Sequence, residues 1–132
     1  MRAGRAGAIV PPVTIATSDG IEVCGDCRVA DSFAARLRGL LGSRGLEVGE
    51  GLLIPRTSSV HTHFMRFAID VVFLDGEGHV AKIVRGMRPW RFAGARGAED
   101  VLELPAGHCD RVGLREGATL VRPAADAAYP AS

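Results

Sequence analysis

The sequence predicts a mainly β fold: an antiparallel β-sandwich or distorted barrel of jelly-roll type, with one short helix packed on it. Three observations predict it. About seven short runs rich in Val, Ile, Leu and Phe recur along the chain, separated by Gly, Pro and Asp turns. Only residues 31–42 carry apolar residues at the spacing of a helix. Most strand neighbours are joined by connections too short for a parallel crossover.

The elements follow in chain order. Residues 1–12 are Gly-, Ala- and Arg-rich, end in Pro11-Pro12, and read as a flexible arm. Thr14–Ala16 and Ile21–Val29 read as a hairpin turned by Ser18-Asp19-Gly20. Asp31 or Ser32 can accept from the orphan N–H groups of a first helical turn. Phe33, Leu37, Leu40 and Leu41 would then form one apolar face, and Gly42 a stop. Leu46–Gly51 reads as a loop and Leu52–Ile54 as a short buried strand ended by Pro55.

The segment Val60–Asp75 (VHTHFMRFAIDVVFLD) organises the domain. From Phe67 onwards, Phe67, Ile69, Val71 and Phe73 share one face while Val72 and Leu74 take the other, the pattern of a strand covered on both sides. Asp75-Gly-Glu-Gly78 is a turn, and His79–Val84 the returning partner. Val101–Leu104 is a further strand, closed by Pro105-Ala-Gly107. Cys109–Val112 reads as a helical turn and Ala118–Arg122 as the last strand. The tail 123–132 has the composition of a disordered end, so the domain proper is 13–122.

At 132 residues the chain has room for one core, and its 47% hydrophobic share is enough to fill it. The formal charge of +1 argues against a broad basic face for nucleic acid or anionic lipid, so no nucleic-acid partner is expected. Lys82 is the lone lysine among many arginines, which reads as composition bias because the arginines are scattered along the sequence. No apolar run reaches the ~18–20 residues of a membrane helix. The N-terminus lacks the apolar core of an export signal, so a cytoplasmic location is expected. The odd count of cysteines, Cys24, Cys27 and Cys109, fits a reducing compartment.

Three motifs in order resemble a known family: Arg36-Leu-Arg-Gly-Leu-Leu-Gly42, then Val60–Asp75, then Val101-Leu-Glu-Leu-Pro-Ala-Gly107. Together they are similar to the domain of unknown function 192 (DUF192) family, over about residues 22–122. The resemblance implies a compact β-rich fold of sandwich or jelly-roll type with a helix after the first strands. It implies no established activity. Many relatives carry an N-terminal export signal, which this sequence does not show. Ala68 stands where the family commonly has Pro.

The candidate site is read by parity. In extended chain His61, His63, Met65 and Phe67 point one way, and Thr62, Phe64, Arg66 and Asp70 the other. At ~3.3 Å per residue Arg66 and Asp70 are about 13 Å apart, so each needs a partner from elsewhere. Asp70 sits in an apolar strand, where an ionised carboxylate must be paired and hydrogen-bonded. It reads either as a buried pair with Arg38 or Arg66 or as the polar anchor of a pocket. Trp90, the single Trp, lies between Arg88 and Arg91 at the mouth of a Gly-rich loop, Phe92–Gly97. Arg38, Thr62, Arg66, Asp70, Trp90 and Arg91 are therefore the candidate ligand-binding residues. An aromatic floor with forked Arg donors suits a small polar or anionic ligand, or a protein partner.

Other constellations are weaker. His61 and His63 have a spacing used by metal sites but need further ligands. Cys24-Gly-Asp-Cys27 would point its thiols to opposite faces of a strand unless Gly25-Asp26 turns. His108-Cys109 lacks an orienting Asn or Asp, and no nucleophile elbow, phosphate loop or dinucleotide fingerprint occurs. The expected function is thus a non-catalytic binding or accessory module with no cofactor. The alternatives are a metal-dependent enzyme using His61 and His63, or a structural accessory of a cell-envelope or secretion assembly.

Overall fold

The computed structural model describes residues 13–30, 46–63 and 65–121. The helix expected over 31–42, and Arg38 with it, lies outside the described residues. Nine strands are present among those described: β1 Val13–Thr17, β2 Glu22–Val29, β3 Glu50–Pro55, β4 Ser59–His61, β5 Ile69–Leu74, β6 Val80–Met87, β7 Phe92–Gly94, β8 Asp100–Pro105 and β9 Leu120–Val121. A short helix, α1 His108–Val112, precedes β9.

Seven strands form one sheet in the order β6-β5-β8-β3-β2-β1-β9, and β4 pairs with β7 as a separate ribbon. Pairing is antiparallel except between β2 and β3, which run parallel. The sheet curls until its edges meet at one end. His79 bridges Thr119, and Val80 N–H donates to the Ala118 carbonyl at 2.8 Å. Leu120 N–H returns to the Gly78 carbonyl at 2.9 Å. The expected distorted barrel is therefore the fold observed.

Curling gives two apolar layers. The inner one draws Ile15, Val23, Leu53, Val72, Leu102 and Leu120 from across the sheet, with Cys109 and Leu114 from α1 and its exit closing an end. The outer one packs Val60, Met65 and Met87 against Ile69, Val71 and Phe73. Lying between these layers, β5 and β8 are buried at every residue, as the two-faced apolar run in Ile69–Leu74 requires.

Several sequence expectations need correction. The extended chain from Val60 to Asp70 is broken: β4 ends at His61 and β5 begins only at Ile69, so Phe67 lies outside the strand. Met65 N–H turns back onto the Thr62 carbonyl at 3.2 Å, which ends the alternation. Phe92–Gly94, expected as loop, is a strand because it finds a partner in Ser59–His61. The thiols of Cys24 and Cys27 do not take opposite faces. Register against β1 moves from Val13↔Cys27 to Ile15↔Cys24, a bulge at Gly25-Asp26 that turns both into the inner core.

Candidate functional site

Asp70 lies on β5 with its side chain on the inner face and is fully buried. Its partners among the described residues are backbone amides. Oδ1 accepts from Gly86 N–H at 2.9 Å and Gly107 N–H at 3.2 Å, and Oδ2 from Cys109 N–H at 3.0 Å. Each donor is one the local structure leaves over. Gly86, at φ 61°, sits in the β6 bulge between the pairs Ile69↔Met87 and Val71↔Val84, where the ladder skips a residue. Gly107 caps α1 without a side chain, so the orphan amides of the first turn take their acceptor from β5. Asp70 thus ties β5, β6 and α1 together. Arg66, one of its two expected partners, is exposed instead.

Next to Asp70 stand the residues of the expected nucleophile pair. Burial, and after it the Asp70 carboxylate, pushes the Cys109 thiol up to about 12. Both nitrogens of His108 are engaged: Nε2 donates to the Val23 carbonyl at 2.7 Å, and Nδ1 accepts from Arg111 Nη1 at 3.0 Å. This pattern assigns a neutral imidazole protonated on Nε2. A thiol held protonated beside a histidine with no free lone pair makes no thiolate–imidazolium couple. The hydrogen bond with the neighbouring Cys24, and after it burial, raises Cys27 likewise.

The outer face carries a different arrangement. Thr62 is fully buried, and its hydroxyl donates to the Arg88 carbonyl at 2.6 Å while accepting from Arg91 N–H at 2.9 Å. Its backbone adds Thr62 N–H to the Arg91 carbonyl at 2.9 Å and Trp90 N–H to the Thr62 carbonyl at 3.0 Å. These bonds hold Trp90 at φ 64°, left-handed backbone that a bulky residue adopts only when its surroundings impose it. The indole is left 57% exposed. His63 stacks on it at 5.3 Å between ring centroids, and His61 follows at 4.5 Å. Phe92 pairs across the ribbon with His61 and is 72% exposed. Directly opposed residues of antiparallel strands share a face. Four rings therefore gather on one outer surface, and the segments that carry them also carry the exposed Arg66, Arg88 and Arg91.

The structure brings Thr62, Trp90 and Arg91 together but separates them from Asp70. Thr62 belongs with Val60 and Met65 on the outer layer, and Asp70 with Val72 and Leu74 on the inner one, on opposite sides of β5. Asp70 and Thr62 are thus positioning residues for two different assemblies. His63 N–H donates to His61 Nδ1 at 3.3 Å, which engages that nitrogen within the pair. Among the described residues, the three His, Cys, Asp or Glu side chains that converge at metal-ligand spacing are Asp75, Glu77 and His79, on the exposed β5–β6 turn; none joins His61 and His63.

Glu103 and Phe92 are not singled out by the sequence, and His61 and His63 are singled out there only as metal ligands. Glu103 is fully buried on β8, on the outer-layer side with Val101. Its signal was a carboxylate inside the apolar run Val101–Leu104. Phe92 had no such signal, because a lone aromatic in a Gly-rich stretch gains a face only from its pairing partner.

Comparison with known proteins places this geometry in a family. The DUF192 family model, described as "Uncharacterized ACR", matches residues 14–121. A UPF0127 protein of Thermococcus sibiricus is 34% identical over 70% of this chain, which spans 63% of that protein, less than two thirds of its length. A UPF0127 protein of Pyrococcus furiosus is 34% identical over 74% of this chain and 87% of its own. A crystal structure of a protein of unknown function from Novosphingobium aromaticivorans superposes with a TM-score of 0.71 at 22% identity, covering 89% of this chain and 94% of the other. That last likeness is one of fold.

Proposed function

The chain belongs to the uncharacterised DUF192 family, and from that premise we propose that it is a non-catalytic binding module whose recognition surface is built around Trp90 and takes a small polar or anionic ligand. One observation carries the reading: a buried hydroxyl, Thr62, holds an exposed Trp in left-handed backbone. Such a conformation costs of order 1–3 kcal/mol, and it presents the indole to solvent beside His63. Trp90 supplies a stacking face, and Arg66 and Arg91 supply forked donors for a carboxylate or phosphate. Asp70, in this reading, acts at a distance by fixing the β6 bulge that leads into the Trp90 loop. The engaged nitrogens of His108 and the protonated Cys109 favour binding over nucleophilic chemistry.

No helix among the described residues is long and apolar enough to cross a membrane. The three cysteines are free and buried, a state that a reducing compartment preserves, and this supports a cytoplasmic site of action.

Because Trp90 is the single Trp, its emission reports on the proposed surface alone. Titration with inorganic phosphate, glucose 6-phosphate and AMP should give a saturable change for at least one of them, with a midpoint in the micromolar to millimolar range. Arg91→Ala should weaken that ligand about tenfold, the worth of one charge-assisted contact. Thr62→Val should blunt the response while leaving the fold intact. If all three compounds leave both emission and thermal midpoint unmoved at about 10 mM, where mass action would stabilise any folded state with millimolar affinity, the reading is wrong.

A further inference from the structure

The overall charge of +1 hides a strong segregation. Residues 51–69 and 78–98 contain no Asp or Glu, yet they hold Arg56, Arg66, Lys82, Arg88, Arg91 and Arg96 besides Arg85. These two segments are distant in sequence and are brought together by the β4–β7 pairing. Arg85 turns the other way, onto Asp110 at 2.9 Å, and is neutralised there. Lys82 reaches under the ribbon to the Gly94 carbonyl at 2.8 Å. The exposed Glu99 sits at the ribbon's other end, where its carbonyl accepts from Thr57 N–H at 2.8 Å. The end that presents Trp90, His63, His61 and Phe92 also holds the exposed Arg88 and Arg91, whose backbone carbonyls accept from Thr62, and the exposed Arg66 follows Met65 in the turn that closes on Thr62.

We propose that the outer face of the β4–β7 ribbon docks single-stranded nucleic acid, whose bases stack on Trp90, Phe92 and the histidine rings while Arg66, Arg88 and Arg91 meet the phosphates. This rests on the reading of Trp90 as a recognition surface and names its partner. Exposed rings combined with cations are the two parts of a single-strand platform: every base offers a π-face, and the backbone offers regularly spaced charge. A duplex hides its base faces, and a two-stranded ribbon of three residues a side has no element to lay in a groove. An acidic peptide would use the arginines but leave the rings idle. The net charge of +1 argues against a broad basic face, whereas docking on a short ribbon responds to local potential rather than to the sum over the chain.

The test is fluorescence anisotropy of the full chain with labelled dT12, a 12-nucleotide unstructured RNA, a 12-base-pair duplex, a heparin fragment and a poly-Glu peptide. Three phosphate contacts on a single strand give a log–log salt slope of about −2, so dT12 or the RNA should bind about 20-fold more weakly at 200 mM than at 50 mM salt. Trp90→Ala should weaken binding about tenfold at unchanged slope, because stacking releases no counterions. Arg88→Ala with Arg91→Ala should instead flatten the slope by about 1.4. Phe92→Ala repeats the stacking arm should Trp90→Ala fail to fold, as judged by its circular dichroism. Equal affinity for duplex, heparin or poly-Glu overturns the proposal, as does a stacking variant that binds like the parent. If AMP shifts Trp90 emission while dT12 binds no tighter than AMP, the small-ligand reading stands and this inference fails. If neither probe binds, both fail.

Discussion

Asp70 shows how one side chain is assigned by its partners rather than by its type. Three backbone amides, that of Cys109 buried, donate to one carboxylate, so its removal orphans all three at once. Asp70→Ala should lower the unfolding free energy by about 2–4 kcal/mol, the cost of one buried and two part-buried donors left unsatisfied, and Asp70→Asn by less because the shape is kept. Urea denaturation measures both; a loss under about 1 kcal/mol for the alanine variant would refute the clamp. Cys109 gives a prediction in pH. Its thiol is raised in the folded state, so folding favours the protonated form. The stabilisation is fully present below the ordinary thiol value of 9.0 and is lost as pH rises from there towards about 12. Thermal midpoints of the parent should therefore fall more steeply across pH 9–12 than those of Cys109→Ala. Coincident profiles would remove Cys109 from the account.

Within the elements, the close approach of β2 to β3 depends on Gly51. A Cβ there would lie 2.6 Å from Cys24 Sγ, 3.1 Å from Leu104 Cδ2 and 3.3 Å from the Glu103 carbonyl. The bulge in β2 is what brings Cys24 inward to that spot. Gly51→Ala should cost about 1–3 kcal/mol through overpacking, and Cys24→Ala should recover part of it by clearing the shortest contact. Additive losses in the double variant would mean that the sulfur is not the obstacle. The same pairing explains why the Cys24–Cys27 spacing misled. Parity holds along a regular strand, and a bulge, set here by the neighbouring strand's register, inverts it. His61 and His63 still lie together, with ring centroids 4.5 Å apart, although β4 ends at His61.

For the whole molecule, closure of the sheet decides what counts as core. Leu120, on a two-residue strand at the chain's far end, is 2% exposed only because β9 meets β1 and the start of β6. Leu120→Ala should cost about 2–5 kcal/mol, and hydrogen exchange should quicken first at Val80 and Leu120, whose amides bridge the closing edges. Unchanged protection there would show that the edges are held by something other than β9. What the sequence determined by itself was local: the apolar runs, their Gly and Asp turns, the two-faced burial of Ile69–Leu74, and the family motifs. Those follow from side-chain period and turn chemistry, which are read within a few residues. The tertiary structure alone decided which residues meet. It placed Asp70 and Thr62 on opposite sides of β5, gave Asp70 three backbone amides among the described residues, and gathered dispersed arginines and four rings about one ribbon. Pairing between segments some 30 residues apart sets those neighbours, through register, bulges and sheet curvature, and no short-range pattern encodes them.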